Sequence, residues 1–444
     1  MADVSSNLYS WSTTASSNSP SGSTNIGTGL DDNLREIQKV IRQDLANAAT
    51  DVASATTTDL GAVASNYVRI TGTTTITGLG TVSAGIWKVV RFAAALTLTH
   101  NATSLILPGA ASILTAAGDM AMFVSEGSGN WRCVYYFQAS GNSLQGAPIG
   151  AQGRITLTTA TAVTTSDVTG ATTVYFTPYK GNKVELYDGA TWVLYPFTEL
   201  SQATSDSTKS PAAVTTNSNY DLFVWNDSGT LRCTRGPAWS SDTARGTGAG
   251  TTELELLTGR YVNKVAITNG PSAQRGLYVG TIRSDGSSQI NDAVAKRHVW
   301  NQYNRMSRTM RALDSTNSWT YTTATWRQAN NAAANQLDYV VGLIEDAVQA
   351  TVFSASFNSS ANVSRQVGIG VDSTTADSSQ IRLNAQTQTA GEIEQMIVEY
   401  QGWPGIGRHY LAWIETSVAT GTTTWIGDNV TSNWLCGIFG KVMA

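Results

Sequence analysis

After Asp31 and Asp32, apolar residues recur every three or four positions at Leu34, Ile37, Ile41, Leu45, Ala48 and Val52. The two aspartates offer N-cap oxygens, and the spacing predicts an amphipathic helix over residues 31–55. Residues 1–30 are rich in Ser, Thr, Asn and Gly, with Tyr9, Trp11 and Ile26 as their sizeable apolar groups. Such an arm buries too little surface to fold alone and is expected to order by docking on a partner. A lone helix beside it needs cover for its stripe, either from a parallel self-associating bundle or from the next module of its own chain.

From residue 56 to 142 the period changes to two. Leu96 and Leu98 alternate, then Met120, Met122 and Val124, then Trp131, Cys133, Tyr135 and Phe137, each set expected to share one face of a strand. Residues 142–155 carry Gly and Pro without periodicity and read as a connector. A second β module over 143–287 contains Val184 to Leu194, where Asp188-Gly189 suits a tight hairpin turn. It also contains Phe223 to Cys233, whose residues repeat the pattern of Phe123 to Cys133 one hundred positions earlier. The two segments read as a shared hairpin design, although hairpins draw on few turn residues and similar text also arises independently. From Ser288, a plausible N-cap, the residues Ile290, Val294, Val299, Trp300, Tyr303, Met306 and Met310 predict a linking helix over 288–313. Residues 314–444 return to alternation and are expected to form a C-terminal β-sandwich of jelly-roll type. The fold class expected is therefore mainly β, with an N-terminal helical segment, two β modules, a linking helix and a sandwich tip.

Composition fits modules of this kind. At 444 residues the chain exceeds one compact core, since domains usually run to ~100–200 residues. Charged residues are 14% of the chain while 41% is hydrophobic, and there are 13 Trp, enough apolar surface to offset ordering entropy. A net charge of -4 supplies no sustained field for nucleic acid or an anionic membrane, and no apolar run is long enough to span a bilayer. Neither partner is expected. Cys133, Cys233 and Cys436 lack zinc or redox spacing and read as buried free thiols.

Candidate chemistry is thin. His100, His298 and His409 fall in three different predicted modules, which excludes a triad or a two-histidine metal site within one module. No nucleophile elbow, phosphate loop or dinucleotide fingerprint is present, so no catalytic residue, metal or cofactor is assigned. Paired carboxylates are all that a glycosidase needs, and Glu345, Asp346, Glu392, Glu394, Glu399, Glu415 and Asp428 are the C-terminal acids; surface solubility explains them equally. Lys296, Arg297, Arg305, Arg308 and Arg311 would make the linking helix basic, a pattern read as ion pairs and a solvated face. The dense C-terminal aromatics are the better lead, because sugars stack on exposed rings. Trp403, Tyr410, Trp413 and Trp425 are the receptor-binding candidates, and core packing is the competing explanation for each.

Some of these residues are familiar as text. Tyr-Ser-Trp-Ser-Thr-Thr-Ala-Ser-Ser-Asn from Tyr9 to Asn18, and Gly-Thr-Gly-Leu-Asp-Asp-Asn-Leu-Arg-Glu-Ile-Gln from Gly27 to Gln38, resemble the virion-anchoring N-terminus of tailed-bacteriophage fibres. The stretch from Phe92 to Gly109, with Gly118-Asp119 and Gly129 to Cys133, is similar to a module shared among phage and prophage tail fibres. Ala295 to Arg305 and Ser318 to Gln328 resemble segments that recur in phage virion proteins. The resemblance implies a non-enzymatic tail fibre or receptor-binding protein, an elongated homotrimer. Its N-terminus, with Tyr9, Trp11 and Ile26 as docking candidates, would bind other virion proteins of the tail, baseplate or neck, and its tip a host-surface glycan or protein. A head or neck fibre, or a baseplate protein, would share the same modules. A capsule-degrading tailspike would show a long parallel β-helix with many evenly repeated strands, and neither that length nor that period is read here.

Overall fold

In the computed structural model, which describes residues 14, 17–18, 30–46, 49–139, 150–427 and 434–444, the periodic segment after residue 30 is a helix at Leu30–Ala46. It stops short of residue 55 because Thr50–Ala53 is a strand, in which Val52 pairs with Ile70. β-branched residues at alternate positions gain more from a sheet neighbour than from two further helical turns. Leu30, Leu34 and Ile41 are 50%, 51% and 43% exposed, so the apolar stripe is largely uncovered within the single chain. The arm residues Tyr9, Trp11 and Ile26 lie outside the described residues.

The chain divides into two units, Met1–Ala147 and Pro148–Ala444. In the first, Thr50–Ala53, Tyr67–Thr71 and Trp87–Phe92 are parallel neighbours. Parallel bridges join Thr57 to Gly78 and Ile76 to Leu98. The chain thus returns to its own line about every 20 residues, the mark of a short parallel solenoid. Val52, Ile70 and Phe92 stack in register through successive coils, as do Val68 and Val90. Burying each such side chain stabilises by roughly 1.5–3 kcal/mol, and the stack is what closes the coil. The periodicity analysis missed this repeat because each coil conserves shape and inward volume rather than letters.

The hairpin Met120–Gly127 with Asn130–Phe137 continues this sheet by pairing with Trp87–Phe92. Here the expectation of one face for four residues fails. Phe123 pairs with Cys133 while Met122 pairs with Tyr135, so Val134 is an extra bulged residue that reverses the alternation. Trp131 and Cys133 therefore point into the core, whereas Tyr135 and Phe137 are 57% and 65% exposed. Met120, Met122 and Val124 do share a face, but it is the outer one; Ala121, Phe123 and Ser125 are buried.

The second unit does not keep the three expected parts 143–287, 288–313 and 314–444. An eight-stranded sheet runs from Val168–Ala171 through Ile290–Ala293 and Gln336–Val341 to Gly407–Thr416 and Arg365–Val371. Strands on both sides of the supposed boundaries are hydrogen-bonded neighbours. A six-stranded sheet places Gly437–Met443 between Ser307–Leu313 and Val348–Asn358. One core links Phe223, Tyr278 and Trp300 with Trp319, Leu337, Trp413 and Trp425; a second gathers Ile155, Phe176, Val184, Leu222 and Ile282. The connector is also corrected at its end: Gly153–Thr156 is a strand, and a Cβ at Gly153 would lie 2.6 Å from the Phe176 ring.

The linking helix over 288–313 is absent. Ile290–Ala293, Lys296–Arg297, Val299–Asn301 and Ser307–Leu313 are strands. Ser288 is no N-cap; at φ +60° it sits in a turn where Asp285 N–H donates to Gln289 O at 2.7 Å. Short strands broken by turns at Ser288 and Asn304 placed apolar residues three or four apart and imitated a helical period. Its basic residues are mostly paired within the chain: Arg297 and Arg308 flank Asp292, each at 2.9 Å, and Arg305 bonds Glu345 and Asp346.

Candidate functional site

The strand Gly407–Thr416 carries two of the four predicted receptor residues, Tyr410 and Trp413. Trp413 is fully buried, with its ring edge-on to Trp319 at 5.6 Å between centroids. Trp425, on Thr423–Ile426, is fully buried as well. Neither offers a face to a ligand, and both are corrected from receptor contacts to core. Their sequence neighbourhood gave no warning, because an aromatic residue on a strand buried on both sides looks the same as one on an exposed face.

Trp403 is the candidate left in solvent, at 64% exposed. It sits in the turn from Glu394–Gly402 to Gly407–Thr416. Val348 pairs with Gly402 and Val341 with Gly407, so this turn and residues 342–347 leave the two sheets at the same end. Ile344, in the neighbouring turn, is 57% exposed. Gly407 at φ +101° is required there, since a Cβ would lie 2.0 Å from Asp242 O and Arg408 N–H donates to that same carbonyl at 2.8 Å.

Tyr410 is half-buried, with the Arg408 guanidinium 4.6 Å from its ring centroid. Arg408 grips Asp338 through two hydrogen bonds of 3.0 and 2.8 Å. His298 Nε2 stands 3.3 Å from the same carboxylate. Burial works to raise the Asp338 pKa, but hydrogen bonds and charge from His298 and Arg408 overcome it and hold the carboxyl well below its usual range. On the next residue, His409 Nδ1 lies 2.7 Å from Asp372 Oδ2 while Tyr410 N–H donates to Asp372 Oδ1 at 2.9 Å. The separation of His298 and His409 into different modules is thus overturned: His298 directly follows Arg297, which pairs with Tyr339, and His409 pairs with Tyr339 from the other side. Sequence distance concealed this polar row, although alternate positions on Gly407–Thr416 carry it. Among the described residues no three His, Cys, Asp or Glu side chains gather to hold a metal ion.

Of the C-terminal acids, Glu415 is fully buried and completely engaged. Its oxygens accept from Trp319 Nε1 at 2.9 Å, Arg327 Nε at 2.9 Å and Asn330 N–H at 3.2 Å. Burial pushes its pKa up to about 7 against these donors. No open face remains for a substrate, so its role is structural. Asp428 lies outside the described residues. The three cysteines are buried free thiols, and burial pushes Cys133 and Cys233 up to about 12.

No protein-family model and no curated protein matches the sequence. Among solved structures, similarity is found to a structure of infectious bursal disease virus Gx strain at 10% identity, covering 82% of this chain and 74% of that one, with a TM-score of 0.23. Dimeric latent PorU from Porphyromonas gingivalis matches at 11% identity and a TM-score of 0.21, over 52% of this chain and 24% of that one. The Bacillus thuringiensis delta-endotoxin Cry8Ea1 matches at 7% and 0.20, over 66% and 52%. The chain therefore spans about a quarter of PorU and half of Cry8Ea1. At these scores the shared property is β structure, and no functional argument passes through it.

Proposed function

We propose that the protein is a structural fibre of a bacteriophage particle that assembles as a homotrimer and attaches to the host-cell surface without catalysing a reaction. In this reading residues 1–29 dock on the virion, Leu30–Ala46 joins three copies along its apolar stripe, and the two facing sheets of the C-terminal half serve as a jelly-roll-like tip. The observation that carries the attachment role is Trp403, an indole held in solvent by a Gly- and Pro-containing turn, with exposed Ile344 in the turn at the same end of the sheets. Leaving large apolar side chains in water costs free energy that a receptor contact would recover. The uncovered Leu30, Leu34 and Ile41 support assembly in the same way. The resemblance of Tyr9 to Asn18 and Phe92 to Gly109 to phage fibres supplies the biological setting.

The test is adsorption of the purified full chain to cells of the bacterium on which the particle grows. Trp403→Ala should reduce adsorption by about tenfold or more, the loss expected when a hot-spot aromatic is truncated, with an unchanged circular dichroism spectrum. Undiminished adsorption would remove Trp403 from the role, and a monomer by light scattering would end the trimeric reading.

A further inference from the structure

The two hairpins that stood out in the sequence meet at their tips. Lys183–Tyr187 with Trp192–Pro196 turns at Asp188-Gly189, and Asn219–Asp227 with Thr230–Ala238 turns at Ser228-Gly229. Between the turns and Arg275 lies a cavity of about 310 Å³, whose lining includes Tyr187, Asp188, Tyr195, Asn226, Ser228 and Arg275. Pockets for small molecules begin at roughly this size.

The lining has unspent hydrogen-bonding capacity. The Arg275 guanidinium makes one long hydrogen bond, Nη1 to Tyr187 O at 3.5 Å, and forms no ion pair among the described residues. Its guanidinium is 5.7 Å from the Tyr187 ring centroid and rests against Gly189, where a Cβ would lie 2.0 Å from Nη2. The Asp188-Gly189 turn thus does two things: it closes the hairpin and clears the space the guanidinium fills. Asn226 spends Oδ1 on Gly229 N–H at 2.6 Å, which leaves its amide N–H groups to face the cavity. The nearby acid, Asp188, is turned into its own hairpin, where Oδ1 accepts from Ala190 and Thr191 N–H at 2.8 and 2.7 Å. The Tyr187 and Tyr195 hydroxyls make no hydrogen bond among the described residues.

We infer that this cavity binds a carboxylated pyranose, the repeating acidic unit of a surface polysaccharide. A guanidinium fork matches a carboxylate, amide and phenol groups match ring hydroxyls, and tyrosine rings suit the apolar face of a sugar. The inference is independent of Trp403, so either site can fail without the other.

Titration of the full chain with glucuronate, glucose, acetate and inorganic phosphate, followed by calorimetry or by tyrosine fluorescence, tests it. Glucuronate should bind, with glucose and acetate at least tenfold weaker. Arg275→Gln should weaken glucuronate by tenfold or more. Asn226→Asp keeps the acceptor for Gly229 N–H and adds to the cavity lining a carboxylate that repels the ligand's own, so it should abolish binding without disturbing the hairpin. Equal binding of glucose would overturn the carboxylate assignment, and equal binding of acetate or phosphate would overturn the sugar. Wild-type glucuronate affinity in either variant, or no binding of glucuronate at all, would overturn the site.

Discussion

The two units bury different chemistry. In the first, coils stack aliphatic and aromatic side chains such as Val68, Ile70, Val90 and Phe92, and Trp131 ties the stack with Nε1 donating to Gly80 O at 2.8 Å. In the second, acid–arginine pairs are set within and between the sheets: Asp221 with Arg245, Glu185 with Arg260, Asp292 with Arg297 and Arg308, Asp338 with Arg408, and Glu415 with Arg327. The first unit buries charge as well, but meets it with backbone groups: Lys88 donates to Ser65 O at 2.8 Å and Asp119 accepts from Ala139 N–H at 2.8 Å. Sheets built from distant parts of one chain gain from specific pairs that fix which strand meets which.

The largest effect expected from this contrast is at Asp221, whose carboxylate is fully buried and accepts from Arg245 Nε at 2.6 Å, Thr252 Oγ1 at 2.9 Å and Thr281 Oγ1 at 2.7 Å. Asp221→Ala leaves Arg245 buried without its counter-ion and should cost about 3–5 kcal/mol. Hydrogen exchange should quicken throughout residues 150–427 and stay unchanged in 50–137; slowing or constancy in the second unit would deny that the ions hold it.

Next is pH. The Glu415 carboxyl is raised from 4.5 to about 7 in the folded protein, so the folded state holds a proton there that the unfolded chain has lost. The stability this contributes is full below pH 4.5 and disappears as pH rises to about 7. Asp338 acts with opposite sign: its lowered pKa contributes stability above the unfolded value of 3.8 that is lost in stronger acid. Unfolding of the second unit should therefore be hardest in mild acid, and Glu415→Gln should flatten the decline between pH 4.5 and 7 in a urea-melt series. An identical decline in the variant would assign it elsewhere.

A smaller effect separates the two matched hairpins. Gly229 has φ +99° with nothing near its missing Cβ, so Gly229→Ala costs only backbone strain, about 1 kcal/mol. Gly129 at φ +82° has Thr81 Oγ1 3.3 Å from the same point, and Gly129→Ala should cost somewhat more. Equal midpoints in urea would mean the turns are interchangeable. Smallest of all, Arg69→Gln breaks the exposed pair with Asp51 and should leave the first unit's melting temperature unchanged; a clear fall would give the solenoid an electrostatic component.

The hairpins were legible because glycine marks their turns, Gly189 at φ +102° and Gly229 at φ +99°, although the first turn is wider than the tight one expected: Tyr187 pairs with Trp192 across the four residues Asp188–Thr191. The solenoid was not, since Val52, Ile70 and Phe92 share a line but no residue type. The 288–313 error has the same root: periodicity records spacing, and short strands with turns can reproduce three-and-four spacing. The exposure of Trp403 was legible from its Gly and Pro neighbours, whereas Trp413 and Trp425 lie on strands whose burial depends on what crosses over them. Arg275 drew no notice in the sequence, because the turns that line its cavity are 46 and more residues away in the chain.

Arg154 donates through Nη2 to Ala444 O at 3.0 Å, and Gly437–Met443 is an interior strand of its sheet. Contacts that span almost 300 residues give this unit a high contact order. Until Gly437–Met443 is in place, Ser307–Leu313 and Val348–Asn358 lack the neighbour that joins them in one sheet. Folding of this unit should thus be slow, and a chaperone that shields those edges would raise the yield of native protein.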